Sequence, residues 1–202
     1  MLFDTIFLVI ILLSIKNNNI YEEIIKYSRF ISLMFKVNSK DEINYYLDKV
    51  KKDYPNATHY CYGYVIDNDI RSSDNGEPSG TAGNPILNQI TSNNLNYVLI
   101  IVVRYFGGVK LGAGPLTRAY AKLAREVITK ENIITLVKGY DINISFNYND
   151  IKNIDYILTN SRILSKEFND NVIYNVYVNK DTLDKLSNYN VNVNKEIYKE
   201  KE

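Results

Sequence analysis

Two glycine-rich loops on either side of one apolar run constrain the fold of this chain more than any other stretch. The first loop, residues 71–83, has the sequence RSSDNGEPSGTAG, and the second, residues 104–115, has the sequence RYFGGVKLGAGP. Between them, residues 97–103 have the sequence YVLIIVV, and such a run, rich in β-branched residues, is typical of a strand buried on both faces. Seven of the nine glycines lie in or beside the loops. Because glycine serves positions that need a positive φ or a close approach, this concentration predicts a functional site there.

Each loop is predicted to lead into a helix with proline at its first position, Pro85 after the first loop and Pro115 after the second. Proline suits that position because the N–H that it lacks would have no partner within the helix. Apolar residues at helical spacing give the second helix one buried face, made of Leu116, Ala119, Tyr120, Leu123 and Val127.

The chain before the first loop has the pattern of a strand, a helix and a second strand. Residues 27–37 and 58–66 are the predicted strands, and Ser39 with Glu42 forms a capping box for the helix between them. Residues 67–69 are predicted to turn the chain directly into the first loop.

Residues 1–20 form an apolar N-terminal extension, in which residues 1–15 are almost wholly apolar. This run is shorter than the ~20 residues that cross a bilayer. Asp4 stands where a secretory signal carries lysine or arginine. We therefore expect an edge strand, a hydrophobic helix or an over-extended start, with a signal or anchor role as the alternative.

The composition changes after Gly139, because residues 140–202 contain neither glycine nor proline. The pattern there predicts strand 141–148, helix 150–159, strands 162–168 and 171–178, helix 180–187 and strand 191–198. This β-α-β-β-α-β order is that of the ferredoxin-like split unit. We therefore predict an α+β fold with a domain boundary near Gly139, an autonomous second domain, and a solvated tail from residue 195.

The composition also excludes several classes of function. The net charge of +1 produces no global attraction to nucleic acid or membrane, so any such attraction must come from a local patch. Cys61 is the only cysteine, which excludes an internal disulfide and suits a reducing compartment. With His59 as the only histidine, the chain has too few soft ligands for a typical zinc site.

Four cations in or near the loops suggest an anion site, namely Arg71, Arg104, Lys110 and Arg118. Lys110 and Arg118 lie close to the N-terminus of the helix after Pro115, where exposed N–H groups favour anions, and Arg104 ends the strand beside them. The pattern matches neither a Walker A loop nor a dinucleotide-binding fingerprint. A tight strand-to-helix turn with solvated cations explains the same residues equally well.

The first loop also permits catalytic interpretations. Asp74 with Glu77 is a possible acid–base pair, and Ser79 with His59 and Asp74 is a possible triad. Such loops more often use these side chains to hydrogen-bond their own backbone. Cys61, two residues after His59 on a predicted strand, permits a nucleophile pair, although a buried thiol beside a hydrogen-bonded imidazole is the more common arrangement.

These motifs together resemble the IMPACT/YigZ family. The resemblance covers residues 21–202 and rests on residues 57–62 (ATHYCY), both loops, and residues 116–120 (LTRAY), with residues 28–31 similar to the family's entry strand. It implies an N-terminal domain, residues 21–139, with the fold of the second domain of ribosomal protein S-five. It also implies a ferredoxin-like domain, residues 140–202, similar to domain V of elongation factor G. In eukaryotes the family regulates translation initiation during amino-acid starvation.

Three positions depart from the family pattern. Asn75 replaces an acidic residue, Pro115 replaces a glycine, and Gly63 replaces an alanine. The loss of an acid at Asn75 weakens a metal or acid–base role for the first loop, whereas Pro115 is compatible with a helix start.

From the residues and the resemblance we expect a cytoplasmic, ribosome-associated, non-enzymatic binding module of the translation apparatus that regulates translation initiation. Its two loops are expected to bind RNA or an acidic protein partner, without a cofactor, a metal or a membrane. The residues assigned to this site are Arg71, Ser72, Asp74, Gly76, Glu77, Ser79, Gly80, Thr81, Arg104, Gly107, Gly108, Lys110, Gly112 and Arg118. The alternative is a hydrolase that uses Asp74, Glu77, Ser79 and His59.

Overall fold

The computed structural model describes residues 11–201 of the chain. It divides them into two compact units, residues 12–135 and a second unit that contains residues 136–201. Helices and strands occur in both units, so the predicted α+β class is confirmed. The predicted boundary near Gly139 and the autonomous folding of residues 140–202 stay predictions.

The first unit is built on a five-stranded sheet with three helices. A short first strand, β1 (Ile11–Ile15), is not part of this sheet. The elements that follow it are β2 (Asn19–Ile25), β3 (Ser28–Lys36), α1 (Lys40–Asp53), β4 (His59–Ile66), β5 (Asp69–Ser73), α2 (Gly83–Ser92), β6 (Val98–Tyr105) and α3 (Ala113–Glu126). The strand order is β2-β3-β6-β4-β5, and every neighbouring pair is antiparallel. The central strand β6 is the one that the apolar run predicts.

Both faces of this sheet are covered, because side chains alternate between two cores. Phe30 and Ile100 belong to the core that contains α2 and α3, whereas Ile31 and Ile101 belong to the core that contains α1. Residues 98–104 are buried without interruption, which confirms the prediction of a strand buried on both faces.

The predicted capping box is confirmed at the start of α1. Ser39 Oγ accepts a hydrogen bond from the Glu42 backbone N–H, 3.3 Å away. The Glu42 carboxylate returns to the N–H of Asn38, 2.8 Å away, rather than to that of Ser39.

The predicted starts of the other two helices are wrong by two residues. α2 begins at Gly83 and α3 at Ala113, so Pro85 and Pro115 each occupy the third helical position. The first four N–H groups of a helix all lack intrahelical acceptors, so proline is tolerated at any of these positions.

Two further details of the first unit differ from the prediction. Residues 67–69 lead into β5 rather than directly into the loop, so Arg71 and Ser72 are strand residues. The second strand after the start, β2, was absent from the prediction because its alternation mixes Ile20 and Ile24 with charged residues.

The N-terminal extension contains a strand, β1, within its described part. Leu13 forms a parallel bridge with Leu95, and the Lys16 N–H donates to the Asn132 carbonyl 2.8 Å away. The next strand along the chain after α3 is β7 (Ile133–Phe146). Residues 1–10 lie outside the described part, as does most of the segment for which a signal or anchor was the alternative. No helix within residues 11–201 is long and apolar enough to span a bilayer.

The second unit contains the predicted β-α-β-β-α-β order. After β7 its elements are α4 (Ile151–Ile157), β8 (Arg162–Phe168), β9 (Val172–Asn179), α5 (Lys180–Lys185) and β10 (Asn190–Glu200). The strands pair in the order β10-β7-β9-β8, all antiparallel, around a core that includes Ile144 and Val176.

Two details of that unit differ from the prediction. The predicted strand 141–148 is the C-terminal part of a longer strand, β7, which begins at Ile133 and ends at Phe146. The expected solvated tail from residue 195 is part of β10, whose pairing with β7 reaches from Asn190 to Glu200. Alternating lysine and glutamate can point to solvent while the backbone pairs, and composition alone does not distinguish that from a tail.

Candidate functional site

The two glycine-rich loops meet over one end of the central sheet and enclose a cleft of about 400 Å³. The register brings them together, since His59 at the start of β4 pairs with Arg104 near the end of β6. The first loop leaves β5 and the second leaves β6, both at this end. The cleft is lined by Thr58, His59, Gly76, Glu77, Pro78, Arg104, Phe106, Lys110, Leu111, Gly112, Ala113 and Leu116.

The Asp74 side chain holds the first loop in place by binding backbone N–H groups of that loop. Its carboxylate accepts hydrogen bonds from the N–H groups of Gly80, Ala82 and Gly83, at 2.7, 2.9 and 2.8 Å. Burial raises the pKa of Asp74, but the three amide donors outweigh burial and hold that pKa below its ordinary value. A carboxylate held in this way serves the loop rather than acting as a free base.

Asn75 fixes the position and the tautomer of His59. It has a φ of +42°, a conformation that asparagine tolerates well, and its side-chain oxygen accepts from the Tyr60 N–H at 2.8 Å. The His59 Nδ1 lies 2.9 Å from the Asn75 carbonyl oxygen. A carbonyl oxygen only accepts hydrogen bonds, so Nδ1 carries the proton. The other ring nitrogen, Nε2, is the one closer to the Glu77 carboxylate.

Glu77 is the centre of a buried polar network beneath the cleft. Its Oε1 accepts from Arg104 Nη1 at 2.6 Å and from the Tyr120 hydroxyl at 2.7 Å. The side chains of Glu77 and Arg104 are 3% and 5% exposed. Its Oε2 lies 3.7 Å from His59 Nε2, beyond hydrogen-bond distance. Glu77 of the first loop is therefore the buried counter-ion of Arg104 on β6.

The expectation that Arg104 offers an exposed charge is wrong. Its second amino group donates to Ser28 Oγ at 3.3 Å, and its guanidinium lies over the rings of Phe30 and Phe106, 5.2 and 5.4 Å from their centroids. Because β6 extends through Tyr105, Arg104 falls on the buried face of a strand rather than after its end.

Cys61 lies in the same network as an inert thiol. Its Sγ is 2.9 Å from the Asp74 carbonyl oxygen and 3.4 Å from the Tyr120 hydroxyl. Burial raises the pKa of Cys61 to about 12, so the thiol stays protonated at neutral pH. This geometry favours the buried thiol over a nucleophile pair with His59.

The second loop contributes the exposed charge of the cleft. Lys110 is exposed, and the N-terminus of α3 beside it has as its cap residue Gly112, which has no side chain to accept from the first N–H groups. Gly108 and Gly112 have φ values of +83° and +85°, so the loop needs glycine at both.

The four cations assigned from the sequence do not converge on one face. Arg104 and Lys110 line the cleft, and Arg118 is exposed near the start of α3 with its Nη1 beside Gly114. Arg71 is opposite Tyr64 on the α1 side of the sheet and pairs with Asp69 at 3.1 Å.

The remaining assigned residues have local roles. Ser72 Oγ lies 3.0 Å from Asn84 Oδ1, and the Thr81 hydroxyl donates to the Pro78 carbonyl at 2.6 Å. Ser79 is exposed, and His59 Nδ1 is engaged by the Asn75 carbonyl rather than by Asp74, so the possible triad is not formed. Gly76 lies in the cleft wall, the Gly80 N–H donates to Asp74, and Gly107 packs against the backbone of Tyr27 and Ser28.

The network contains partners that the sequence reasoning missed, namely Tyr120, Ser28 and Phe106. Tyr120 was assigned to an apolar helix face, and it is fully buried there. A tyrosine in the middle of a buried face needs a partner for its hydroxyl, and that requirement was the available signal. Nothing local in the sequence pointed to Ser28.

Gly107→Ala is expected to destabilise the protein by about 2 kcal/mol, because the new methyl group would overlap backbone. A Cβ at this position would lie 2.0 Å from the Tyr27 carbonyl oxygen and 2.6 Å from the Ser28 nitrogen. The measurement is the urea midpoint at unchanged m-value. Gly114→Ala is the matched control, since its Cβ meets only Arg118 Nη1 at 3.5 Å and alanine suits a helix. Equal midpoints for the two variants would contradict the packing argument.

Within residues 11–201, no group of three or more histidine, cysteine, aspartate or glutamate side chains could hold a metal ion. The cleft itself supplies only His59 and the already paired Glu77 as conventional ligands.

Comparisons with known proteins identify several relatives of this chain. Residues 26–128 match the sequence model of a family described as the Impact N-terminal domain. The IMPACT family member YvyE of Bacillus subtilis strain 168 is 35% identical over 181 residues, which cover 87% of this chain and 83% of that protein. The IMPACT family member YigZ of Escherichia coli strain K12 is 36% identical over 103 residues, covering 48% of this chain and 50% of that protein.

A solved structure shares the fold. A crystal structure described as that of a hypothetical protein superposes with a TM-score of 0.67, covering 91% of this chain and 96% of that one, at 23% identity. At this level of identity the likeness shows the fold alone.

Proposed function

This chain belongs to the IMPACT family, and we propose that it is a non-enzymatic binding module of the translation apparatus, associated with the ribosome in the cytoplasm and active in regulating translation initiation. Membership supports this proposal, since regulation of translation initiation is what the family resemblance implies. The free thiol of Cys61 is compatible with a reducing compartment.

The proposed ligand is an anion, either RNA phosphate or an acidic protein surface, bound in the cleft between the two loops. The observation that carries this proposal is the pairing of exposed Lys110 with the uncapped N-terminus of α3 on one wall of the cleft. A helix N-terminus favours a negative charge by about 0.3–1 kcal/mol within its first turn. Glu77 is the only carboxylate among the lining residues, and Arg104 compensates its charge.

The same geometry gives less support to a hydrolase. Asp74 is engaged by three backbone amides, and Glu77 by Arg104 and Tyr120. His59 Nε2 and Glu77 Oε2 are too far apart for a hydrogen bond, and Ser79 lies outside the cleft lining. No nucleophile and base of the proposed set are therefore within hydrogen-bond reach of each other.

Replacing Lys110 and Arg118 by alanine together is expected to weaken RNA binding and to lower its salt dependence. Each lost phosphate contact should reduce the slope of log K against log salt by about 0.7 for a single strand. The measurement is a titration of labelled RNA at several salt concentrations, with folding checked by circular dichroism. Arg71→Ala is the matched control, because Arg71 lies on the opposite, α1 side of the sheet.

An unchanged affinity and slope in the folded double variant would remove the loops as the site. Absence of salt-dependent binding of wild type to any RNA would reject the RNA form of the proposal. The acidic-protein form would then be tested by pull-down from lysate, in which the double variant should lose partners that Arg71→Ala retains.

A further inference from the structure

Phe106 is an exposed aromatic ring that the anion-binding proposal does not use. It lines the cleft, and 44% of the residue is exposed. The Phe106 backbone N–H donates to Thr58 Oγ1 at 3.0 Å, which anchors the backbone that carries the ring. An exposed ring held in a concave site needs a functional reason more than a single ring on an open surface does.

The ring is backed by a rigid stack. The Arg104 guanidinium lies over Phe106, 5.4 Å from its centroid, and over Phe30, 5.2 Å from that centroid. Arg104 is itself fixed by Glu77 and Ser28. Phe106 is therefore a preorganised platform, and its ring loses little conformational entropy when a ligand binds.

The surroundings of this platform suit one nucleotide. Lys110 and the N-terminus of α3 provide the anion-binding side of the cleft, while Pro78, Leu111 and Leu116 provide apolar lining. A volume of about 400 Å³ is at the small end of ligand sites. Because neighbouring bases cover both faces of a base inside a duplex, a base that stacks on Phe106 must be unpaired and turned out of its strand.

We propose that the cleft binds a single unpaired nucleotide of an RNA strand, with its base stacked on Phe106 and its phosphate at Lys110 and the start of α3. This inference rests on the proposed function and names the ligand of the same cleft. An acidic side chain fits less well, because the face of an aromatic ring carries negative charge density and repels an anion. A neutral base stacks on the same face favourably, in any sequence.

The test compares Phe106→Leu with Phe106→Tyr in titrations of a labelled oligouridine and of a blunt duplex of equal length. Stacking on one aromatic side chain is worth about 1–3 kcal/mol, which corresponds to a loss of about 5- to 150-fold in affinity for the single strand. We expect that loss in Phe106→Leu, with an unchanged salt slope because no phosphate contact is removed. Phe106→Tyr, which keeps the ring, should bind like wild type, and wild type should prefer the single strand.

A second measurement needs no variant. 2-Aminopurine, placed at each position of a short oligouridine in turn, should be quenched on binding to wild type at the position that stacks. The inference is overturned if no position is quenched, or if single strand and duplex bind alike and folded Phe106→Leu binds like wild type. Should Lys110→Ala still lower the salt slope in that case, the proposed anion site survives and only the stacked nucleotide fails. If wild type binds no RNA, the inference and the RNA form of the proposed function both fail.

Discussion

Glu77→Ala is expected to destabilise the first unit by about 3–5 kcal/mol, since it leaves Arg104 buried without its counter-ion. Glu77 Oε1 accepts from both Arg104 and Tyr120, and the paired side chains are 3% and 5% exposed. Removal of the carboxylate therefore leaves a buried charge without its counter-ion and a buried hydroxyl without its acceptor. The free energy of unfolding, from urea denaturation followed by circular dichroism, measures the loss.

Asp53→Ala is the matched control for the loss of an ion pair. Asp53 pairs with Lys49 at 2.9 Å, but both side chains are 47% exposed, and such pairs contribute about 0–1 kcal/mol. A Glu77→Ala variant that is no less stable than this control would show that the buried pair contributes little.

The combined change of Glu77→Leu and Arg104→Met separates an unpaired charge from lost packing. Replacement of a whole buried ion pair by apolar residues is often neutral or stabilising. Tyr120 would still lose its acceptor and Ser28 one of its two donors, so we expect the double variant to lie between wild type and Glu77→Ala. A double variant less stable than Glu77→Ala would assign the effect to packing.

The elements most predictable from this sequence are those that local physical chemistry determines. The run at residues 97–103 predicts a buried strand because only a central strand buries both faces. Ser39 and Glu42 mark a helix start because both cap unsatisfied N–H groups. The order of elements after residue 139 follows in the same way from alternation and helical spacing.

Burial depth and long-range partners are what the sequence alone does not provide. Arg104 follows an apolar run, and nothing local indicates that the strand continues past it to Tyr105. Its partner Glu77 is 27 residues away. An arginine just after the end of the strand would be a free cation, whereas Arg104 within the strand is half of a buried ion pair. The residue type alone therefore does not define its role.

The same ambiguity affects the acids of the first loop. Asp74 and Glu77 have the residue types of a catalytic pair, and both are used to hold structure. The meeting of the two loops at one cleft was predictable, because glycine clusters mark close approach and positive φ. The roles of Asp74 and Glu77 were not predictable, since they depend on which N–H and O–H donors the fold brings to each carboxylate.

Asp74→Ala is expected to destabilise the first unit by about 3 kcal/mol, as three N–H donors of the first loop lose a charged acceptor. Asp74 Oδ1 accepts from Ala82 and Gly83, and Oδ2 accepts from Gly80. Asp74→Asn is the matched variant, because its remaining oxygen can keep the two Oδ1 bonds while its amide faces the Gly80 N–H. We expect its loss to be about half that of Asp74→Ala.

The stabilisation by Asp74 should depend on pH in a defined direction. The three amides outweigh burial and lower the carboxyl pKa in the folded protein from its ordinary value of 3.8. A group with a lowered pKa contributes its full stability above the unfolded value and loses it as the pH falls through the folded value. The difference in unfolding free energy between wild type and Asp74→Asn should therefore be constant near neutral pH and shrink below about pH 4. If that difference stays constant throughout the acid range, the carboxylate charge is not what holds the loop.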